Sequence, residues 1–271
     1  MTPYLAIASA RFRMLLQYRA AAVAGLFTQI FFGLVLIMVY EAFYRSARVP
    51  PPMAFEQVVT YAWLGQVLFA MLPWHTDPEW RAMVRSGAIA YELCRPVDLY
   101  GFAFARELAQ RIVPTLLRAL PMVVFAVLVL PLVGLGEWQL AAPASPAAAT
   151  GFAGSLVCTV LLGCAMAVII NISLMWTLSG SGIAMLLMTA VTMFSGMLVP
   201  LPLFPDWAQR ALGWQPFAGL VDLPFRIYNG HIAAPDIPLV LARQLGWTLV
   251  LVAFGRWLLA RGLRRVVVQG G

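Results

Sequence analysis

Residues 139–205, QLAAPASPAAATGFAGSLVCTVLLGCAMAVIINISLMWTLSGSGIAMLLMTAVTMFSGMLVPLPLFP, contain no charged side chain. A helix crosses a hydrocarbon core with roughly 20 residues at ~1.5 Å each, so this stretch is too long for one crossing and about right for two. Ser179, Gly180, Ser181 and Gly182 supply the turn, between a span at 150–178 and another at 183–199. The whole chain shares this character: 62% of its residues are hydrophobic, 11% are charged and the mean hydropathy is +0.85, against a soluble norm of about 25% charged. The apolar runs are long and do not alternate with period two, which predicts membrane helices and argues against a barrel. The predicted fold class is all-α, a single polytopic membrane domain.

Working outward, residues 20–40 form a first span, uncharged between Arg19 and Glu41, and Pro50, Pro51 and Pro52 break the chain before a second at 57–76. A third at 112–136 carries Arg118 with Pro114, Pro121 and Pro131, and should be kinked or broken. The last, at 237–260, follows Asp236 and stops at Arg261, with a tail over 261–271. That makes six transmembrane helices. Ahead of them, residues 1–19 read as an amphipathic interface helix: Thr2 and Pro3 open it, Leu5, Ala8, Phe12 and Leu15 recur at helical spacing, and Arg11, Arg13 and Arg19 flank that stripe.

All eighteen basic residues are arginine, against eleven acidic ones. Most sit beside apolar runs, where they meet anionic headgroups, so the net charge of +7 points to membrane lipids and not to nucleic acid. With both termini cytoplasmic, the inner side holds Arg11, Arg13, Arg19, Arg81, Arg85, Arg95, Arg106, Arg261, Arg264 and Arg265, and the outer side only Arg45, Arg48, Arg210 and Arg226. That asymmetry obeys the positive-inside rule. Cys94, Cys158 and Cys164 have no metal-site spacing, and His75 and His231 lie far apart, so no metal site is expected.

Residues 77–107, DPEWRAMVRSGAIAYELCRPVDLYGFAFARE, are the longest densely charged interval and fall on the inner side. Asp77 is an N-cap candidate, Pro78 suits the first helical position, and Gly87 is a stop. Trp80, Met83 and Val84 share one face of this short helix, and Arg81 and Arg85 an adjoining one. Periodicity alone serves equally a knob for a groove on another protein and a surface helix folded back on the bilayer. Residues 200–236 are too apolar for an ordinary loop and too rich in proline for one span. Pro205 opens one short helix and Pro216 a second; with Trp207, Trp214 and Phe217 they read as re-entrant helices forming an outer lid, or as an aromatic loop anchoring span ends.

Several absences narrow the chemistry. Without lysine there is no Walker A phosphate loop, so any ATPase is another chain, and no hydrolase motif is present. Glu41, Glu56, Glu107 and Glu137 all bound apolar runs, leaving no carboxylate mid-span for ion-coupled transport. Arg118 and Arg243 approach the membrane interior, where snorkelling to an interface is favoured over substrate binding. Gln29, Gln66, Asn171 and Thr177 are polar candidates for a pathway, though hydrogen bonds between helices explain them equally.

Two motifs carry a resemblance. Arg85, Ser86 and Gly87, then Leu93, Cys94, Arg95, Pro96 and Val97, resemble the R-x-G-x-(few)-L-x-R-P-V pattern of the permease subunit of ATP-binding-cassette (ABC) transporters of the type-2 exporter group. Phe194, Ser195 and Gly196 with Pro200, then Pro205, Trp207 and Pro216, resemble that group's F-S-G-x-x-x-P…P-x-W…x-P signature, with Gln215 where Asn is common. The resemblance implies a coupling helix after span two, with Trp80, Met83 and Val84 in the groove of a separate ATPase, and Arg81, Arg85, Glu92, Arg95 and Pro96 around it. It further implies two ATPase copies carrying ATP and Mg, a second identical or homologous permease, a pathway near spans two and five, and export of an amphipathic or lipophilic compound across a bacterial cytoplasmic membrane. The alternative is a secondary transporter or channel independent of ATP.

Overall fold

The computed structural model describes residues 3–17, 19–74, 76–176 and 181–264. Thr2, His75, Thr177, Ser179, Gly180 and Arg265, all considered above, lie outside them. Every regular element among the described residues is helical. Helix α1 (Pro3–Leu15) buries none of its residues. It lies along the start of a later helix, where a Cβ added at Gly101 would stand 2.7 Å from the Tyr4 ring. Helix α2 (Arg19–Ser46) runs beyond the predicted end at 40, because Arg45 and Glu41 pair one turn apart at 2.5 Å and carry the helix past its apolar run.

Helix α3 (Phe55–Val67) is the second predicted span, opened by Gln57, whose Oε1 accepts from Ala54 N at 2.9 Å. Only these 13 residues are α-helical. A 3₁₀ turn at Phe69–Met71 follows, and Leu72 is extended, the conformation that a following proline imposes. Every residue from Val58 to Val67 is buried. Tyr61 and Trp63 therefore anchor the largest apolar cluster, and Gly33 lets α2 approach the Trp63 ring, which a Cβ there would meet at 3.0 Å.

After α4 (Pro78–Ser86) and α5 (Ile89–Leu93) comes α6 (Leu99–Val124). Asp98 Oδ2 accepts from Gly101 N at 2.9 Å and caps it, so the helix starts well before the predicted span at 112. Arg106 and Glu107 belong to its first turns, and the interval at 77–107 is a loop only as far as Asp98; Glu107 does not bound an apolar run. Pro114 and Pro121 leave α6 unbroken. The irregularity falls instead at a π-turn, Phe125–Val129, ahead of α7 (Leu130–Leu132), where Leu130 N donates to Phe125 O. The next donor in that ladder belongs to Pro131, which has no N–H; Leu140 N donates to the vacant Ala126 O instead, at 3.1 Å.

Helix α8 (Pro146–Ser173) is capped by Ser145 Oγ, which accepts from Ala148 N at 3.0 Å. Helix α9 (Ser181–Phe194) already includes Ser181 and Gly182, two residues of the predicted turn. Then come α10 (Asp206–Trp214), a 3₁₀ segment Pro216–Leu220, α11 (Asp222–Tyr228) and α12 (Ile237–Leu263). Helix α8 is the most enclosed of the long helices, packed against α6, α11 and α12. Glycines permit the approach: a Cβ at Gly151 would stand 2.8 Å from Ile237, and one at Gly163 3.1 Å from both Arg111 Nε and the Met71 carbonyl.

Among the described residues four helical stretches are long and apolar enough to cross a membrane: Ala22–Ser46, Leu99–Leu132, Pro146–Ser173 and Ala234–Leu263. The other two predicted spans are the shorter helices α3 and α9. Just beyond α9, Gly196 takes φ 87°, and a Cβ there would stand 2.5 Å from the Tyr61 hydroxyl. Gly196→Ala is therefore expected to destabilise the fold by about 1–2 kcal/mol from the left-handed backbone alone, seen as a lower Tm of the detergent-solubilised protein.

Candidate functional site: the joint between α4, α6 and α8

Asp77 begins α4 as its N-cap: Oδ1 accepts from Glu79 N at 3.0 Å and from Trp80 N at 3.5 Å, and Gly87 ends the helix in the left-handed conformation at φ 73°. The cap is fastened to α8. Asp77 N donates to Asn171 Oδ1 at 3.0 Å, and Trp80 Nε1 donates to the Asn171 carbonyl at 2.9 Å. Asn171 Nδ2 donates to Glu107 Oε1 at 2.6 Å, and Glu107 is ion-paired with Arg111, each only 3% exposed. These bonds tie α4, α6 and α8 through one asparagine.

A second layer of charge lies outside the first. Arg106 Nε donates to Asp77 Oδ2 at 2.8 Å and Arg106 Nη2 to Glu79 Oε2 at 2.6 Å. Arg11 of α1 pairs with Glu79 and reaches Asp77 Oδ1 at 3.5 Å. Burial pushes the Glu79 carboxyl up, but the Arg106 and Arg11 guanidinium groups outweigh it and hold its pKa below the ordinary 4.5.

The predicted docking face needs a correction. Trp80 is 1% exposed, packed with Ile89, Leu99, Tyr100, Val168 and Ile172 of its own chain, and so does not reach a partner's groove. Met83 and Val84 are half-buried against the same cluster. An indole with its N–H satisfied gains more by filling this cluster than by staying in water. Arg81 turns back to hydrogen-bond the Thr76 hydroxyl. What α4 and α5 leave exposed is Arg85, then Tyr91 (77%) and Leu93 (48%), with Arg95 and Pro96 beside them and Glu92 paired to Arg95 at 3.2 Å.

At the far end of the bundle, Pro200 is buried, Pro205, Trp207 and Trp214 are exposed, and Pro216 and Phe217 are half-buried. Gln215 has a definite place: Nε2 donates to Phe194 O and Leu212 O, both at 2.7 Å, and Oε1 accepts from Phe217 N at 2.6 Å. It links the end of α9 to the segment after it. Asp222 N donates to the Ser195 carbonyl at 3.0 Å, so the Phe194–Ser195–Gly196 turn sits on the N-terminus of α11.

Of the polar pathway candidates, Asn171 belongs to the joint, Gln66 is buried in α3, and Gln29 is buried with neither amide atom bonded. Sequence reasoning missed Glu107, Arg111 and Asp222 as buried groups. Asp222 is 1% exposed, accepts from the Tyr61 hydroxyl at 3.4 Å and pairs with Arg226 at 3.6 Å. The available signal was the acid followed four residues later by an arginine, a spacing that lets both enter a core as a pair. Among the described residues no group of three His, Cys, Asp or Glu side chains could hold a metal ion.

The profile of a known family described as "ABC-2 family transporter protein" matches residues 30–270. No curated protein matches the chain. Asn171→Ala leaves Glu107 Oε1 and the Asp77 N–H without their hydrogen-bond partner, at about 1–3 kcal/mol per buried group. Hydrogen exchange over 77–97 is expected to rise at least tenfold, with α8 still protected. The contribution of Glu79 is present above pH ~4.5 and is lost as pH falls through its lower folded-state value, so α1 is expected to loosen only in acid, read as a loss of hydrogen-exchange protection over residues 3–15 relative to α8 as the pH is lowered.

Proposed function

The chain belongs to the ABC-2 transporter family, and on that premise we propose that it is the exporting permease of a complex with a separate ATPase, present in two copies, and a second permease, identical or homologous. ATP and Mg bind the ATPase; this chain has no lysine with which to build a Walker A loop. The membrane is the bacterial cytoplasmic membrane, crossed six times, with both termini inside. Support for six crossings comes from the alternation of contacts: Thr60 and Trp63 of α3 bond the loop at Trp138 to Ala141, and the segment after α3 ends at Asp77, bonded to Asn171 of α8. Residues 200–236 form the outer lid, with Trp207 and Trp214 at the membrane interface.

The observation that carries this reading is the joint. Helix α4 is fixed to α6 and α8 by a buried hydrogen-bonded network while the surface around Arg85, Tyr91, Leu93, Arg95 and Pro96 is left in water. A docked ATPase that pushes on this surface moves α6 and α8 with it, since the joint has no soft element. The ATPase shifts the permease between two packings only by binding them with different affinity.

An ion-coupled secondary transporter is the second reading, and buried Glu107 and Asp222 are the observation in its favour. Each is paired with an arginine one helical turn away on its own helix, so its carboxylate is already occupied by a resident counter-ion and is not open to a transported cation.

Co-expression with the partner ATPase and purification through one tag is the direct test. The double substitution Leu93→Glu and Arg95→Glu is expected to cut recovered ATPase at least tenfold while the permease stays folded. Undiminished recovery together with ATP-driven transport would overturn the docking assignment; transport that persists without any ATPase would favour the second reading.

A further inference from the structure

One face of α6 presents Glu107, Arg111, Pro114 and Arg118 to a cavity of about 660 Å³ that it shares with Leu72, Trp74, Thr76, Asp77, Arg81 and α9. That volume lies within the ~300–1,000 Å³ of small-molecule sites. The walls are apolar on both sides, with Leu72 and Trp74 facing Met185 and Met188. The charges are unevenly answered. Glu107 is held by Arg111 and Asn171, and Asp77 by Arg11 and Arg106. Arg118 and Arg81, by contrast, meet no carboxylate within salt-bridge distance among the described residues; Arg81 has only the Thr76 hydroxyl, and the Nε of each is buried with no acceptor, as it is in the carboxylate-paired Arg11 and Arg111.

Arg118 lies two turns beyond Arg111, about 10 Å farther along the helix. Its guanidinium rests on α2 at Gly25, where a Cβ would stand 2.5 Å from Cζ. The glycine makes room for it. A partly buried guanidinium among apolar helices without a counter-ion is costly, and its cost is offset when an anion arrives.

We propose that this cavity binds an amphiphile bearing one acidic group, a carboxylate or a phosphate, with that group on Arg118 and Arg81 and its apolar part along Leu72, Trp74, Met185 and Met188. The proposal rests on the permease reading and deepens it by giving the sign of the ligand's charge. A cation is repelled, because the cavity's carboxylates are already engaged, and a neutral lipophile gives the two arginines nothing. Methionines on the wall adapt to tails of different shape.

The test uses the full chain alone in nanodiscs, with 11-(dansylamino)undecanoic acid as the probe and its methyl ester as the uncharged control. Fluorescence titration in phosphatidylcholine discs is expected to give saturable binding of the acid, at least tenfold weaker for Arg118→Gln and within threefold of wild type for Arg118→Lys. The ester is expected to bind weakly and equally to all three. Arg81→Gln, on α4, is expected to weaken the acid at least threefold and decides the matter should Arg118→Gln fail to fold. Discs containing phosphatidylglycerol separate two sources of the same chemistry: competition assigns the site to a bilayer lipid, its absence to a free amphiphile, and both uphold acid recognition. Equal affinity for acid and ester, or an unchanged affinity in both glutamine variants, would overturn it. No ATPase is present, so failure here with ATPase recovery intact leaves the docking reading standing, and the reverse outcome leaves this one.

Discussion

Asn171 accepts the backbone N–H of Asp77, donates to Glu107 and offers its own carbonyl to the Trp80 indole. An amide is suited to that place because it donates and accepts at once; a carboxylate would face Glu107 with a second negative charge, and an aliphatic side chain would strand both partners. The placement also depends on α8 being enclosed by α6, α11 and α12, so that the asparagine is a fixed point on which the start of α4 is built. The joint gives way only by exposing buried polar groups, and this makes rigid movement of α4 with α8 the less costly response to force.

The same economy of charge governs the rest of the interior. Glu107 with Arg111 and Asp222 with Arg226 are each four residues apart on one helix, so neither acid enters the apolar interior alone. Backbone groups follow the rule too. Where Pro131 cannot donate, the Leu140 N–H is borrowed across the chain for Ala126, and where the chain turns after α9, the Gln215 side chain takes two open carbonyls. Gln29, with neither amide atom bonded, and Arg118 and Arg81, with no carboxylate in reach among the described residues, depart from this pattern.

The long spans, the α4 boundaries and the short helices before α12 were legible in the sequence, because uninterrupted apolar runs, an Asp-Pro start and a glycine stop act locally. The direction of Trp80 was not. Periodicity says which residues share a face, while the choice between a partner's groove and the chain's own core is made by α8, whose Asn171 is remote in sequence. The start of α6 was hidden for a related reason: Arg106 and Glu107 look like loop residues until Asp77 is beside the one to answer its charge, and Arg111 and Asn171 are beside the other to pair and hydrogen-bond it. The shortness of α3 was written in Pro73, but a full-length apolar run concealed it.

The π-turn at Phe125–Val129 has a consequence for how this chain tolerates change in length. A π-turn amounts to one extra residue accommodated within a helix, and here it is sealed by a bond from outside the helix, Leu140 to Ala126. Phase is therefore reset at that point: the face of α6 that carries Glu107, Arg111 and Arg118 is set independently of the face that α7 turns toward its surroundings. Evolution has a slip joint there, at which a residue gained or lost alters the outer end of the helix and leaves the inner register of charges as it was.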